Sequence, residues 1–298
     1  MNRITEMLGI KYPIIQGAMQ DVAKARLVAA VSNAGGLGVL ASGQDTPEQV
    51  REEIHKVKEL TDKPFAVNLM FLNKKVPEIV DVVIEEGVKI VTTGAGTPKL
   101  YMPKLKEAGI KVMPVIPNVK IAKKMEELGV DAVIAEGMES GGHIGTMTSQ
   151  ILWPQVVDAV KIPVIAAGGI ADNRGVKAAM AMGAEGVQCG TIFSISKESP
   201  VGDNWKKVII ESKDTSIGVI GTKMGVASRI VVNKKAKELY GLEDEMTDKL
   251  KFNQLLDEAY RKAVYQDDVE DGIIFAGSVA GMIHESKSAA EIISDLMR

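Results

Sequence analysis

Cysteine is almost missing from this chain: one thiol, Cys189, in 298 residues. That excludes an intrachain disulfide framework, a CxxC metal knuckle and a self-contained iron–sulfur site. Aromatic residues are scarce at 4%. Long apolar runs are lacking too; a run such as residues 162–171 falls far short of a membrane span and contains glycines. The first ten residues carry Arg3 and Glu6 and no extended apolar core, so they do not read as a secretory signal. Neither sign of charge dominates: 36 Lys+Arg stand against 39 Asp+Glu, net −3. Such a balance gives no general attraction to nucleic acid or to an anionic membrane. With 46% apolar and 25% charged residues the chain folds rather than staying disordered. The expectation is a cytoplasmic α/β protein, long enough for one large domain or two smaller ones.

Glycine, by contrast, is abundant. Twenty-nine glycines point to tight turns and close backbone approaches. Short, nearly continuous apolar runs, as buried parallel strands require, fall at 12–16, 38–41, 65–68, 90–93, 112–116, 132–135, 164–167 and 186–189. Helical periodicity occupies 24–33, 47–60, 76–86, 119–128, 150–160 and 173–182. Thr46-Pro47 supplies an N-cap and a first-turn proline. Gly87, Gly109, Gly129 and Gly183 each follow a helical run, where a left-handed residue is needed. Eight strand–helix units in about 190 residues predict a (β/α)8 TIM barrel. Residues 197–265 show no clear buried strand and read as a mostly helical cap inserted after strand eight. The barrel is then 1–196 plus 266–298, completed by a helix at 288–297.

In such a barrel, functional groups gather at the carboxyl ends of the strands. Strand one ends in Gln16-Gly17-Ala18-Met19, strand three in Asn68, and strand four in Thr92-Thr93-Gly94-Ala95-Gly96. Strand seven ends in Ala167-Gly168-Gly169 and strand eight in Gln188-Cys189-Gly190-Thr191. Glycines after these last two strands let backbone N–H groups approach an anion, which predicts a phosphorylated ligand. Strand six runs through Glu136-Gly137 into Glu139-Ser140-Gly141-Gly142-His143-Ile144-Gly145. A glycine loop of this kind reads as mobile and able to lie flat against a bound ring. It also presents His143, whose imidazole can give or take a proton at working pH. His55 and His284 lack such a setting and read as surface or packing residues. Cys189 has no histidine to activate it and reads as a small buried residue. Met102, Met113, Met125, Met138 and Met147 read mostly as core, while Met19 lines the pocket.

The segments Pro13-Ile14-Ile15-Gln16-Gly17-Ala18-Met19 and Ser32-Asn33-Ala34-Gly35-Gly36-Leu37-Gly38 resemble the FMN-dependent nitronate monooxygenase superfamily. Within it, Lys63-Pro64-Phe65-Ala66-Val67-Asn68, the strand-four end and the strand-six loop look most like the type II enoyl-[acyl-carrier-protein] reductases, the FabK group. The likeness covers nearly all of residues 1–195. It implies FMN over the barrel mouth, with Gly17, Ala18, Met19, Asn68 and Glu136 lining the flavin. Gly168, Gly169, Gln188, Gly190 and Thr191 would hold its phosphate arm, and Thr93, Gly141, Gly142 and Ala167 would complete the cofactor wall. It further implies His143 as the acid–base residue, NADH or NADPH as co-substrate, an enoyl thioester on acyl carrier protein, and a homodimer. Some members also need a monovalent cation. No metal-ligand set is read from the chain itself.

The chain departs from the reductase pattern at Ala18, Gln20 and Asp21. It departs again at Gly225-Val226-Ala227-Ser228-Arg229, which lacks a histidine usual in the cap, and at 272–278. Residues 197–237 hold nine Lys/Arg against four acids, an excess able to steer an acidic carrier protein. The alternative activity is nitronate oxidation with dioxygen, using the same flavin and His143 as a base. A nucleophilic-cysteine dehydrogenase is excluded because the strand-six loop has no cysteine.

Overall fold

Buried on both faces, the apolar runs form parallel strands in the computed structural model, which describes residues 2–298. They are β1 (Ile14–Gln16), β2 (Gly38–Ala41), β3 (Phe65–Met70), β4 (Ile90–Gly94), β5 (Lys111–Ile116) and β6 (Val133–Glu136). A two-residue strand β7 (Gly142–His143) precedes β8 (Val164–Ala167) and β9 (Gly186–Cys189). Helix α1 (Arg3–Leu8) leads into β1. The chain returns between strands through α2 (Ala25–Asn33), α3 (Pro47–Leu60), α4 (Val76–Glu85), α5 (Met102–Glu107), α6 (Val119–Glu127), α7 (Ser149–Ala159) and α8 (Asn173–Ala181). Helix α9 (Thr191–Ser194) follows the last barrel strand.

The strand order is β1-β9-β8-β6-β5-β4-β3-β2. The remaining gap is bridged at Leu37: Gln16 N donates to the Leu37 carbonyl at 3.0 Å and Leu37 N to Ile14 at 2.9 Å. The result is a TIM barrel. Its strands alternate: Val67, Val91 and Val133 pack outward on the helices, while Ala66, Ile90 and Ile134 fill the interior. Helix α1, unread in the sequence because it is six residues long, plugs the amino end of the barrel with Ile4 and Leu8. Asn2 caps it by accepting from Ile4 N and Thr5 N.

The segment after β9, expected to be mostly helical with no clear buried strand, carries two short strands as well. Beside α10 (Asp203–Ile210), it forms the hairpin β10 (Ile217–Ile220) and β11 (Ser228–Val231). Then come α11 (Lys234–Glu245) and α12 (Lys249–Gln266) before the closing helix α13 (Ala289–Leu296). Four-residue strands, with Gly218 in one and Arg229 in the other, leave too short an apolar run to read as buried. They form one sheet, β10-β11-β7, so the strand-six loop contributes an edge strand to the cap.

No described helix is long and apolar enough to cross a membrane. The plug gives a first prediction. Ile4→Ala, at a fully buried position, costs about 2–5 kcal/mol by large-to-small truncation. It lowers the urea midpoint without changing the slope. An unchanged midpoint would show that α1 does not support the barrel.

Candidate functional site

Alternation along the strands decides what faces the cavity. On β3 and β4 the inward column passes from Ala66 and Ile90 to Asn68 and Thr92, which are paired in register. Asn68 Nδ2 donates to Thr92 Oγ1 at 2.9 Å. Glu136 on β6 and Gln188 on β9 complete a polar floor over the apolar interior, beneath a cavity of about 1540 Å³ at the carboxyl ends of the strands. Trp153 of α7 holds two of these ends together, its Nε1 donating to the Ala135 and Ala167 carbonyls at 3.1 and 3.2 Å.

Of the residues expected to bind cofactor, Gly17, Ala18, Met19, Asn68, Glu136, Gly141 and Gly142 line this cavity. So do Ala167, Gly168, Gly169, Gln188, Gly190 and Thr191, together with His143. Thr93 does not. It pairs with Leu69, whose side chain belongs to the outer strand–helix layer, and its hydroxyl is buried without a partner among the described residues. Thr92 takes its place; the period-2 rule applied from Asn68 would have found it.

The strand-six loop is pinned, contrary to the mobile loop expected. Ser149 at the start of α7 donates its backbone N–H to Glu139 Oε2 at 2.8 Å and its hydroxyl to the same oxygen at 2.7 Å. That hydroxyl also lies 3.0 Å from the Gly168 carbonyl. Gly137 is glycine for space: a Cβ there would collide with Ser149. Gly142 is glycine for conformation, at φ +74. From the cap side, Arg229 Nε donates to the Met138 carbonyl at 2.9 Å. His143 pairs with Ser228, and Ile144 N donates to the Ala227 carbonyl at 3.0 Å. Behind the loop, Ser278 N donates to the Glu139 carbonyl at 2.9 Å.

His143 therefore stands on an edge strand, its ring 6.4 Å from that of Phe275. Phe275 lies 4.9 Å from Tyr260, and Tyr260 6.1 Å from Trp205 in edge geometry. The Tyr260 hydroxyl donates to the Gln20 carbonyl, tying α12 to the loop after β1. This aromatic wall was invisible in the sequence, since its members come from three separated segments. The ring of His143 is reachable from the cavity, yet the enclosing walls lower its pKa below the ordinary 6.5. On the floor, burial pushes the Glu136 carboxyl up to about 7, opposed in part by Ser140. Cys189 is buried in the outer layer and its thiol is pushed up to about 12, so it is a packing residue. His55 sits at the surface beside Glu86, 2.9 Å away.

The cavity has room for a flat ring system carrying a phosphate arm. A Cβ at Gly94 would meet nothing within 4 Å, and one at Gly190 would find only Met19 Sδ at 3.8 Å. Gly168 and Gly169 turn the chain at φ +91 and +75, conformations that bring backbone rather than side chain to the cavity edge. The residues present fit FMN: a hydrogen-bonding floor for the ring and glycine-rich loops for the phosphate.

The raised Glu136 pKa has a stability consequence. The unfolded carboxyl ionises near 4.5 and the folded one near 7, so folding loses stability progressively as pH rises between those values. Glu136→Gln removes this cost. In flavin-free protein the substitution should be about 2 kcal/mol more favourable at pH 8 than at pH 5, read by urea denaturation. A pH-independent effect would refute the assignment.

Comparison with known proteins places this geometry. A family model described as nitronate monooxygenase matches residues 1–81 and 75–298. Over 346 aligned residues the chain is 34% identical to a probable nitronate monooxygenase of Staphylococcus saprophyticus, covering 99% of this chain and 96% of that one. Over 203 residues it is 45% identical to a (3aS,4S,5R,7aS)-5-hydroxy-7a-methyl-1-oxo-octahydro-1H-indene-4-carboxyl-CoA dehydrogenase of Rhodococcus jostii, covering 68% of this chain and only 58% of that relative. Among solved structures, FabK from Thermotoga maritima superposes with a TM-score of 0.96 at 43% identity, over 100% of this chain and 95% of that one.

Proposed function

Because the chain belongs to the nitronate monooxygenase family, whose model spans it from end to end, we propose that it is an FMN-dependent reductase of enoyl thioesters borne on acyl carrier protein. The observation that carries this reading is the match to FabK at a TM-score of 0.96 and 43% identity along the whole chain, cap included. The chemistry supplied by bound FMN is hydride transfer, from a nicotinamide nucleotide to the enoyl β-carbon.

The protein contributes position and protons. Asn68, Glu136 and Gln188 would face the ring from the floor, and the loops at Gly168–Gly169 and Gly190–Thr191 would take the phosphate arm. Glu136, with its pKa near 7, is a carboxyl able to donate a hydrogen bond near neutrality. His143, held on β7 above this floor, delivers a proton from a ring nitrogen to the thioester α-carbon. Phe275, Tyr260 and Trp205 keep water from the acyl chain. The cap, residues 197–265, serves as the substrate side of the site.

A second reading, oxidation of alkyl nitronates, is favoured by the lowered His143 pKa, since a neutral imidazole is a ready base. The two readings give opposite pH profiles. A proton donor is competent below its pKa, so thioester reduction declines as pH rises through the His143 titration. A base is competent above it, so oxidation of a neutral nitroalkane, which must first lose a proton to become the nitronate, rises. The decisive test uses flavin-loaded protein without oxygen. NADH or NADPH should bleach the flavin absorbance and crotonyl thioester should restore it. Bleaching by neither nucleotide, with oxygen consumed when a nitronate is added in a parallel aerobic run, would replace the first reading by the second. His143→Ala should retain FMN and lower turnover by about 10²–10⁴-fold; full activity in that variant would remove His143 from the mechanism.

A further inference from the structure

The cavity has a second arm, on the side of the mouth away from the β8 and β9 loops. Beyond His143 its wall includes Ile144, Gly145, Pro117 and Ile121 and, along α6, Lys124, Glu127 and Leu128. Gly145 and Pro117 are packed together; a Cβ on the glycine would lie 3.1 Å from that of the proline. The facing wall is the loop after β4, from Gly94 to Lys99. Ala95 is held there at φ +56, a left-handed conformation at a residue with a side chain.

Charge distinguishes this arm. Three cations line the cavity: Lys99, Lys124 and Arg261. Arg261 is occupied by Asp257 at 3.0 Å. Lys99 and Lys124 are exposed and have no ion-pair partner among the described residues, although Glu127 stands on the same rim. Lys120 lies one turn before Lys124 on α6 and Lys123 next to it, so that even with Glu126 and Glu127 the helix keeps a positive balance. A cleft with low-dielectric walls and cations at its end concentrates anions. The glycine loops across the mouth already account for the flavin phosphate.

Resting on the reductase reading, we infer that the Lys99–Lys124 arm holds the phosphate-bearing end of the second substrate while its reactive end reaches His143. The ligand chemistry is a phosphate ester or pyrophosphate. Two substrates of the reaction carry it: the nicotinamide nucleotide, and the phosphopantetheine arm of the thioester.

Calorimetric binding to flavin-loaded protein separates the sources. NADPH and crotonyl-CoA are titrated into wild type, the Lys99→Ala/Lys124→Ala double variant, and Lys177→Ala, an exposed lysine elsewhere on the barrel. In the double variant the phosphate ligand should bind about fivefold to tenfold more weakly, as loss of charge-assisted contacts implies. The loss should shrink at high salt. Weakened NADPH alone assigns the arm to the nucleotide, weakened crotonyl-CoA alone to pantetheine, and weakening of both to sequential use of one arm. Binding within twofold of wild type for both, an equal loss in Lys177→Ala, or no binding of either ligand to wild type overturns the inference. Failure of the reductase reading shows separately: NADPH binds with the expected lysine dependence yet does not bleach the flavin.

Discussion

The site depends on one carboxylate. Glu139 takes the backbone N–H and hydroxyl of Ser149, capping α7 where its unpaired N–H groups and partial positive charge favour an anion. That bond turns the chain at the end of β6 and lays the glycine loop across the barrel mouth. Because the Ser149 hydroxyl also lies beside the Gly168 carbonyl, the same contact registers the β6 loop against the β8 loop. On the far side the loop becomes the edge of the cap sheet through His143 and Ser228, with Arg229 holding the Met138 carbonyl. Barrel and cap thus meet in a segment whose position neither sets alone.

Electrostatics follow from that enclosure. Loss of solvent shifts two groups of the chamber toward neutrality: Glu136 upward to about 7 and His143, though still reachable, downward. Neutral forms suit a low-dielectric chamber in which uncompensated charge is costly. The Glu139 carboxylate, engaged by Ser149, also lines the cavity, and the lysines of the β4 and α6 rim face solvent.

Much of this was legible in the sequence, for a physical reason. Strands buried on both faces must be apolar throughout, so the eight runs stood out, and glycine marked the ends of both strands and helices. Thr93 shows where the reading stopped. In a run such as Ile90-Val91-Thr92-Thr93-Gly94, two adjacent threonines point to opposite faces, and choosing between them needs the register with Asn68. The cap hairpin was missed because four-residue strands interrupted by glycine or arginine carry no period. The aromatic wall was missed because Trp205, Tyr260 and Phe275 lie on segments that only tertiary packing brings together. The glycine loop was read as mobile because glycine permits motion, but Gly137 and Gly141 are there to let Ser149 and residues 276–277 approach.

The chamber itself bears on which chemistry the family scaffold performs here. Nitronate oxidation asks for space for a small carbanion and dioxygen; thioester reduction asks for two large ligands in turn, each presenting one end to the same ring. The cavity of about 1540 Å³ must hold the flavin as well as the reactant; it is walled by three aromatic side chains and reaches the rim at Lys99 and Lys124. Unfilled apolar volume weakens binding of a small ligand, since its walls stay hydrated or empty. The apolar wall beyond the flavin supports the proposed reading of an extended acyl thioester, in which His143 would have to be protonated to act as the donor.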